Sequence, residues 1–235
     1  MESVKVEHHE VFNRIFWIIF PDGSKRLATI NLFEGKSVYG EQLIKIKGKE
    51  FRIWDPYRSK LAAAILKGIK KVPFSIGSKI LYLGSATGTT VSHVSDIVGE
   101  EGLIYCIDFA PGAMRKLIEN LCSYRTNLYP ILADARFPER YRSIVSSVDF
   151  IYCDIAQPEQ ARILADNADI YLKDDGWIML AIKSRSINVT ASPKEAFKHE
   201  IEVLKKRNFK IMDIVRLEPY EKDHAMVTAF YSKEG

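Results

Sequence analysis

The sequence has little of what commits a chain to a membrane, a metal or an oxidising compartment. It holds three cysteines, Cys106, Cys122 and Cys153. The number is odd and no two stand at C-x-x-C spacing. That excludes a disulfide framework and a cysteine zinc site, and it fits a reduced compartment. Cys106 and Cys153 lie inside apolar runs and read as core fillers. No apolar run approaches the length needed to span a bilayer. The opening Met1-Glu2-Ser3-Val4-Lys5-Val6-Glu7 is too charged for a secretory leader, so the expected location is cytoplasmic. There is no repeat, no low-complexity segment and no Gly/Arg-rich tail. An excess of one charge is also small, +4 over 235 residues. It is unevenly placed: residues 1–78 carry 14 Lys/Arg against 8 Asp/Glu, and the remainder 20 against 22. A basic front half suits a polyanion or a partner surface, and a plain solvated face is the rival reading.

What is present is organised around Ile80-Leu81-Tyr82-Leu83-Gly84-Ser85-Ala86-Thr87-Gly88-Thr89-Thr90. An apolar run enters two glycines, and the helical pattern Val91, Val94, Ile97, Val98 follows. The order is strand, tight turn, helix. Glycines there admit positive φ and let a ligand approach the backbone, and the helix N-terminus offers free N–H groups. The turn is not G-x-G-x-x-G, so a dinucleotide fingerprint is only half met. Twenty residues past Gly88, Asp108 closes the run Leu103–Ile107. An acid ending the second strand of a nucleotide fold takes ribose hydroxyls.

The chain divides near residue 55. Residues 4–53 read as short strands and turns: Val11–Phe20, a turn at Pro21-Asp22-Gly23-Ser24, Lys25–Asn31, Leu43–Lys47 and Glu50–Trp54. Asp22-Gly23 between apolar runs predicts a hairpin. Asp55-Pro56 predicts a helix start, with Asp55 as N-cap and a helix that ends near Gly68. From Lys79 on, strands alternate with helices. The strands are Ile80–Leu83, Leu103–Ile107, Leu128–Leu132, Val148–Cys153 and Trp177–Ile182; the helices lie at about 89–98, 112–124, 157–172 and 193–207. Phe209–Val215 and Ala225–Tyr231 complete the sheet. This alternation predicts an α/β domain whose parallel sheet is covered on both faces, with ligands beyond the C-terminal strand ends.

Polar residues stand at those ends: Thr89-Thr90 after the glycine turn, Asp108-Phe109, Asp134-Ala135, Asp154 with Ile155-Ala156-Gln157, Lys183, and Lys222-Asp223-His224 before the last strand. An adenosine fits this layout, with Asp108 on the ribose, Asp134 on the adenine amino group, and the turn, Gly84 and Ala86 included, on the rest. No Walker lysine or three-glycine turn is present to hold a pyrophosphate. A ligand with an amino-acid moiety in its place, S-adenosylmethionine, suits that absence. On spacing alone a nicotinamide cofactor fits as well. No metal-ligand cluster is visible.

At these residues the sequence resembles the fibrillarin family, in its short archaeal type. The matching stretches are Trp54-Asp55-Pro56-Tyr57-Arg58-Ser59-Lys60-Leu61-Ala62-Ala63, Leu83 through Asp96, Asp154-Ile155-Ala156-Gln157-Pro158 and Asp223-His224-Ala225, and matches run from residue 11 to the end. The resemblance implies a Rossmann-like S-adenosylmethionine-dependent methyltransferase fold with a seven-stranded mixed sheet over residues 55–235, preceded by a small antiparallel β domain over residues 1–54. It implies RNA ribose 2′-O-methylation. The family's cofactor positions fall on Thr89, Thr90, Asp108, Phe109, Asp134, Ala135 and the Asp154–Gln157 loop. Its catalytic group falls on Lys60, Asp154, Lys183 and His224, a Lys-Asp-Lys-His variant of the Lys-Asp-Lys-Glu tetrad of similar ribose methyltransferases. Two departures stand out: the family often has Glu at Asp108 and Ser at Ala110. Without a Gly/Arg-rich tail, nucleolar targeting does not carry over.

Each catalytic candidate has a plainer reading. Lys60 is also a surface lysine on a helix, Asp154 a turn-making strand end, Lys183 a strand-end lysine and His224 an exposed loop residue. His93 and the pair His8-His9 have no partners in sequence and are assigned no chemistry. The 2′-hydroxyl holds its proton tightly, so a base must remove it or a cation must stabilise the alkoxide. Lys183 suits either task, oriented by Asp154, with Lys60 on the ribose or a phosphate and His224 on the sugar or tuning the lysines. Only RNA carries the 2′-OH, yet the chain has no RNP-type aromatic pair and no dense basic helix to read it. The resemblance implies that recognition comes from assembly: a C/D-box guide RNA pairs with the pre-rRNA or tRNA target, a scaffold protein of the Nop56/58 type holds the enzyme, and a kink-turn-binding protein anchors the scaffold. Arg14, Lys25, Arg26 and Lys45 form the candidate docking or RNA-facing surface. A methyltransferase for a small molecule or protein, and an inactive subunit that kept the fold, are the other readings.

Overall fold

A computed structural model describes residues 4–187 and 193–231. Two sheets organise them. The first is antiparallel and uses β1 (Lys5–His8), β2 (Ile15–Ile19), β3 (Lys25–Ile30), β4 (Leu43–Ile46) and β5 (Lys49–Ile53), in the order β1-β2-β3-β5-β4. Its β2–β3 hairpin turns where Asp22-Gly23 predicts, with Gly23 at φ 81° and the Ser24 N–H on the Asp22 carboxylate at 2.9 Å. The expected strand Val11–Phe20 is shorter. Residues 9–14 turn, Arg14 adopts φ 61°, and the strand begins only at Ile15. The charged segment Lys5–His8, not expected as a strand, pairs antiparallel with β2.

The second sheet has seven strands in the order β11-β12-β10-β9-β6-β7-β8. These are β6 (Lys79–Leu83), β7 (Leu103–Asp108), β8 (Leu128–Leu132), β9 (Val148–Cys153), β10 (Leu172–Lys183), β11 (Phe209–Arg216) and β12 (His224–Tyr231). β12 alone runs against its neighbours, so the sheet is mixed. The order reverses beside β6, which lies between β7 and β9. Each strand alternates its side chains between two cores. Ile80, Tyr82, Ile104, Cys106, Phe150 and Tyr152 face α1 (Lys60–Leu66), α2 (Thr89–Val98) and α3 (Pro111–Leu117). Leu81, Leu83, Ile107, Ile151, Cys153 and Leu180 face α4 (Gln160–Tyr171) and α6 (Pro193–Lys206). Between β10 and α6, Ser184–Ile187 form the short α5.

Two helix boundaries differ from expectation. Asp55 does not cap α1. Its carboxylate accepts the Tyr57 N–H at 2.9 Å in a local turn, and Ser59 caps the helix through the Ala62 N–H at 3.3 Å. An Asx turn competes with capping for the same carboxylate. The helix expected over 112–124 is α only to Leu117 and continues as one π turn, Ile118–Cys122.

The first core does not stop at residue 54. Phe12, Ile15, Leu27 and Trp54 pack into the same cluster as α1 and α2. α2 is therefore buried all round, from Thr90 to Val98. Its polar residues meet the first sheet in one network. Asp96 Oδ2 accepts from Arg52 Nη1 at 2.7 Å and Thr29 Oγ1 at 2.9 Å. Its Oδ1 accepts from Arg125 Nη1 at 2.8 Å and the Leu32 N–H at 3.1 Å. Arg52 also binds Glu41 through Nε at 2.7 Å. The expected basic surface is partly engaged as well: Arg14 donates to the Asp96 carbonyl, Lys45 reaches Glu34 at 3.0 Å and Lys25 lies 3.8 Å from Glu7.

Asp96→Ala strips the shared acceptor from two buried guanidinium groups. The expected loss is about 3–5 kcal/mol, the cost of leaving buried charge uncompensated. Chemical denaturation checks it: a midpoint shift worth less than about 1 kcal/mol would show that the network is dispensable.

Candidate active site

The glycine turn is held from both neighbouring strands. The Gly84 and Ser85 N–H groups donate to the Ile107 carbonyl at 2.9 and 3.2 Å, and the Asp154 N–H donates to Leu83 at 2.9 Å. Gly84 has φ +86°, and a Cβ there would collide with the Asp154 carbonyl. Gly88 has φ +98°, and a Cβ would strike Leu121. Both glycines are thus required by conformation and by contact. Ala86 adopts φ 48° without being glycine. Asp108 supports it: its Oδ2 accepts the Ala86 N–H at 2.8 Å while its Oδ1 accepts the Ala110 N–H at 2.9 Å. The acid that ends β7 therefore shapes the turn on β6 and the entry to α3. A carboxylate has about four lone-pair sites, so Asp108 keeps acceptor capacity for hydroxyls.

A cleft opens beside this turn at the reversal of strand order. Gly84, Ala86, Asp108, Phe109, Asp134, Ala135 and the loop Asp154, Ile155, Ala156, Gln157 line it, and so does Lys183. Ile107, Ala133 and Arg136 complete the wall. Thr89 and Thr90 are not among the lining residues. They form the first turn of α2, and the buried Thr90 hydroxyl donates to Ser59 Oγ at 3.0 Å. Arg136 has no signal in the sequence. It grips Asp134 through Nη2 at 2.6 Å and Nε at 2.9 Å, and that hydrogen bonding holds the Asp134 carboxyl below the usual carboxylate range. An ionised Asp134 accepts hydrogen bonds, as an exocyclic amine requires. The wall has acids at two points, Asp108 and Asp134, and small or apolar residues between them. Its cations, Arg136 and Lys183, are each beside a carboxylate, which leaves no free cation cradle for a pyrophosphate among the described lining residues.

Next to the cleft, the four catalytic candidates meet. Lys60 begins α1, Asp154 follows β9, Lys183 ends β10 and His224 begins β12. Lys60 Nζ lies 3.0 Å from Asp154 Oδ2, and Lys183 Nζ lies 3.6 Å from Oδ1. Lys183 and His224 are paired across β10 and β12. The His224 Nδ1–H donates to the Lys222 carbonyl at 2.7 Å. Two buried polar atoms in this cluster, Asp154 Oδ1 and His224 Nε2, make no hydrogen bond. Burial lowers the His224 pKa from its ordinary value of 6.5, and the positive charges of Lys60 and Lys183 add to the shift. The ring is then neutral at pH 7 and presents Nε2 as an acceptor. Gln160, missing from the sequence reading, is fully buried and its Oε1 accepts the Lys183 N–H at 2.9 Å. It fixes the backbone from which Lys183 reaches Asp154. Its only trace in the sequence is a polar residue opening an otherwise apolar helix face.

His93 is not an isolated histidine. Its Nδ1 meets Thr29 Oγ1 at 2.8 Å and its Nε2 meets the Tyr39 hydroxyl at 2.8 Å. Trp54 stacks on the ring at 4.7 Å. Burial, with Arg52 and Arg125 nearby, holds its pKa well below 6.5. The Thr29 proton goes to Asp96, which assigns the ring proton to Nδ1 and leaves Nε2 to accept from Tyr39. Its place is structural, between the two sheets. Among the described residues no group of His, Cys, Asp and Glu is arranged to hold a metal, and no helix is long and apolar enough to cross a membrane.

Comparison with known proteins adds three kinds of likeness. The fibrillarin family model matches residues 6–233. A fibrillarin-like rRNA/tRNA 2′-O-methyltransferase of Pyrobaculum calidifontis is 54% identical over 230 residues, covering 97% of this chain and 98% of its own. The crystal structure of Aeropyrum pernix fibrillarin in complex with natively bound S-adenosyl-L-methionine superposes with a TM-score of 0.91 at 49% identity, covering 97% of this chain and 100% of that one. A fibrillarin/Nop5p complex contributes a chain with TM-score 0.80 and 42% identity, covering 88% of this chain and 94% of that one.

The His224 ring should titrate below 6.5, and Lys60→Ala should move it back upward by removing one of the cations that depress it. The sign for stability follows: the unfolded ring binds a proton first, so the stabilising contribution of neutral His224 is lost as pH falls from about 6.5 through the lowered folded value. NMR titration of the ring protons checks this. An unchanged midpoint in Lys60→Ala would separate the two side chains electrostatically.

Proposed function

The chain belongs to the fibrillarin family, and from that premise we infer that it is an S-adenosylmethionine-dependent RNA ribose 2′-O-methyltransferase. We place it as the catalytic subunit of a C/D-box guide RNA–protein complex acting on pre-rRNA and tRNA. The observation that supports the reading most is the Lys60–Asp154–Lys183–His224 cluster standing against the cleft lined by Asp108 and Asp134. The family's solved S-adenosylmethionine complex supports the cofactor, and the fibrillarin/Nop5p complex supports a scaffold partner of the Nop56/58 type. The guide RNA and a kink-turn-binding protein complete the assembly we propose. The archaeal-type relatives support a cytoplasmic location, and we draw the boundary between the two sheets' domains at residue 54.

In this reading Asp108 accepts from the ribose hydroxyls and Asp134 from the adenine amino group, with Gly84, Ala86 and the Asp154–Gln157 loop against the remainder. Phe109 and Ala135 close the apolar wall. Thr89 and Thr90 contribute through the first turn of α2. The bound cofactor supplies a sulfonium-activated methyl group. The protein's own task is to place a 2′-hydroxyl in line with it and to manage its proton. Lys183 and Lys60 flank one carboxylate, so the cluster carries an excess of positive charge where an alkoxide develops. Asp154 holds both ammonium groups in place. Neutral His224 offers Nε2 to a sugar hydroxyl.

In the assembled complex, Lys183→Ala should leave cofactor affinity nearly intact and slow single-turnover methylation by roughly 100-fold or more, the scale for removing a base or an oxyanion stabiliser. Lys183→Arg divides the two roles, because Arg keeps the charge and cannot serve as a base. Substantial rescue by Arg identifies charge stabilisation as the dominant role. Methylation by Lys183→Ala at the unmutated rate would remove Lys183 and Asp154 from the chemistry. The product, digested to nucleosides, must carry its methyl group on the ribose; a methylated base would overturn the assigned reaction.

A further inference from the structure

His224 is held so that one ring nitrogen is left open. Its Nδ1–H donates to the Lys222 carbonyl at 2.7 Å. A carbonyl can only accept, so Nδ1 carries the proton and Nε2 carries the lone pair. Nε2 is buried and makes no hydrogen bond among the described residues. The loop behind the ring is braced. The Asp223 carbonyl accepts the Ser184 N–H at 3.3 Å and the Ser184 hydroxyl at 3.1 Å. The Asp223 N–H donates to Glu218 at 3.2 Å, and the Leu217 N–H donates to the His224 carbonyl at 3.1 Å. Across the β10–β12 ladder His224 stands directly opposite Lys183, and residues so paired share one face of the sheet.

The charges around the ring come from four elements. Lys60 stands on α1, Asp154 after β9, Lys183 on β10, and Glu221 and Lys222 in the loop before β12. Asp223 is engaged by Arg185 at 2.9 Å, and Glu218 by Arg216 at 2.7 Å. Both lysines of the cluster lie on Asp154, at 3.0 and 3.6 Å from its two oxygens. An ammonium donates and cannot accept. His224 Nε2 is therefore the acceptor of this cluster with no cation paired to it. The half-buried Glu221 carboxylate lies 3.8 Å from Nε2. Burial lowers the ring's pKa and the Lys222 carbonyl opposes that; Lys60 and Lys183 lower it further, and Glu221 raises it. The ring is thus neutral at pH 7, with an acid beside the nitrogen that would gain a proton.

Resting on the methyltransferase reading above, we propose that His224 Nε2 is the general base for the 2′-hydroxyl and that Glu221 is a positioning residue, balancing the imidazolium that the ring becomes. The 2′-oxygen forms a bond to the methyl carbon, and the carbon–sulfur bond breaks with its electron pair remaining on sulfur. The hydroxyl proton passes to Nε2. One positive charge leaves the sulfonium and one appears on the ring, so the net charge of the site does not change. Lys60 and Lys183 stabilise the developing alkoxide, and neither has to lose a proton first. The target stays paired with its guide throughout, because the 2′-hydroxyls of an A-form strand line its wide, shallow minor groove.

The test is single-turnover methylation by the complex assembled with guide RNA and scaffold, from about pH 4.5 to about 9, a range that spans a histidine's titration. NMR titration of the His224 ring in the full chain accompanies it. The rate should rise through one midpoint below 6.5 and then stay level. Glu221→Gln should move the kinetic and the NMR midpoints down by about half a pH unit, the scale for one charge of a partly screened ion pair, because the carboxylate favours the protonated ring. His224→Ala should slow transfer by about 100-fold or more and remove the step from the profile. A loss of rate that is equal at every pH, with neither midpoint moved by Glu221→Gln, would make both residues structural and overturn the proposal. A rate that climbs on to pH 9 and is lost in Lys183→Arg would make Lys183 the base, overturning the proposal with ribose methylation intact. No methyl transfer to RNA at any pH would overturn the reaction itself, and the proposal with it.

Discussion

The Asp96 carboxylate, shared by two buried guanidinium groups, decides where α2 lies. Arg52 comes from the first sheet and Arg125 from the turn before β8, and both side chains are fully buried with Asp96. Glu41 balances the second positive charge through Arg52. A charge buried alone is costly, so each of the four groups is held by the presence of the others. The network pins the outer face of α2 while Val91, Val94 and Ile97 pin the inner face to the sheet. A helix fixed on both faces fixes its own N-terminus, and that N-terminus is the glycine turn beside the cleft.

From that point the site is built by groups that hold one another. Asp108 keeps Ala86 in a left-handed conformation and orders the start of α3, so the residue assigned to the cofactor's ribose also makes the turn against which the ribose would lie. Ser59 caps α1 and accepts from Thr90 in α2. One hydroxyl thereby joins the helix that begins with Lys60 to the helix that begins at the glycine turn. Gln160 does the same for β10, taking the Lys183 N–H from the buried start of α4. The cluster is placed by backbone and capping contacts on rigid elements, which gives the fixed geometry that in-line transfer demands.

The strand–helix alternation, the glycine turn and the strand-end acids were legible because they rest on local pattern: period-two apolar runs, φ-permissive glycines and polar residues where strands stop. Many of the strand-end residues named from the sequence line the cleft, while Thr89 and Thr90 do not, and Ile107, Ala133 and Arg136 join it; the pairing of Arg136 with Asp134 two residues away looks like any surface charge. Less legible were features set by tertiary partners. Ser92, His93, Ser95 and Asp96 lie outside the apolar pattern Val91, Val94, Ile97, Val98, and they too are buried, against another sheet. Lys5–His8 alternates only through Val6, with Val4 before it, too short and too charged a run to stand out, although both valines pack on the first sheet's apolar cluster. Asp55-Pro56 carries a strong helix-start signal, yet the Asp55 carboxylate is taken by the Tyr57 N–H and Ser59 takes the cap.

These links bear on how the two sheets relate. Trp54 stacks on His93, itself bonded to Thr29 and Tyr39 of the first sheet's side. The residues that follow pass directly into Lys60. A boundary at residue 54 therefore runs between groups that share one core and one charge network. With the first sheet removed, α2 would present Asp96 and Arg125 without Arg52, and α1 would lose the apolar cover of Leu27 and Trp54. The first sheet is thus part of what holds Lys60 and the glycine turn at a fixed separation. Its contribution to catalysis is structural and acts through α1 and α2, whether or not its own surface ever touches RNA.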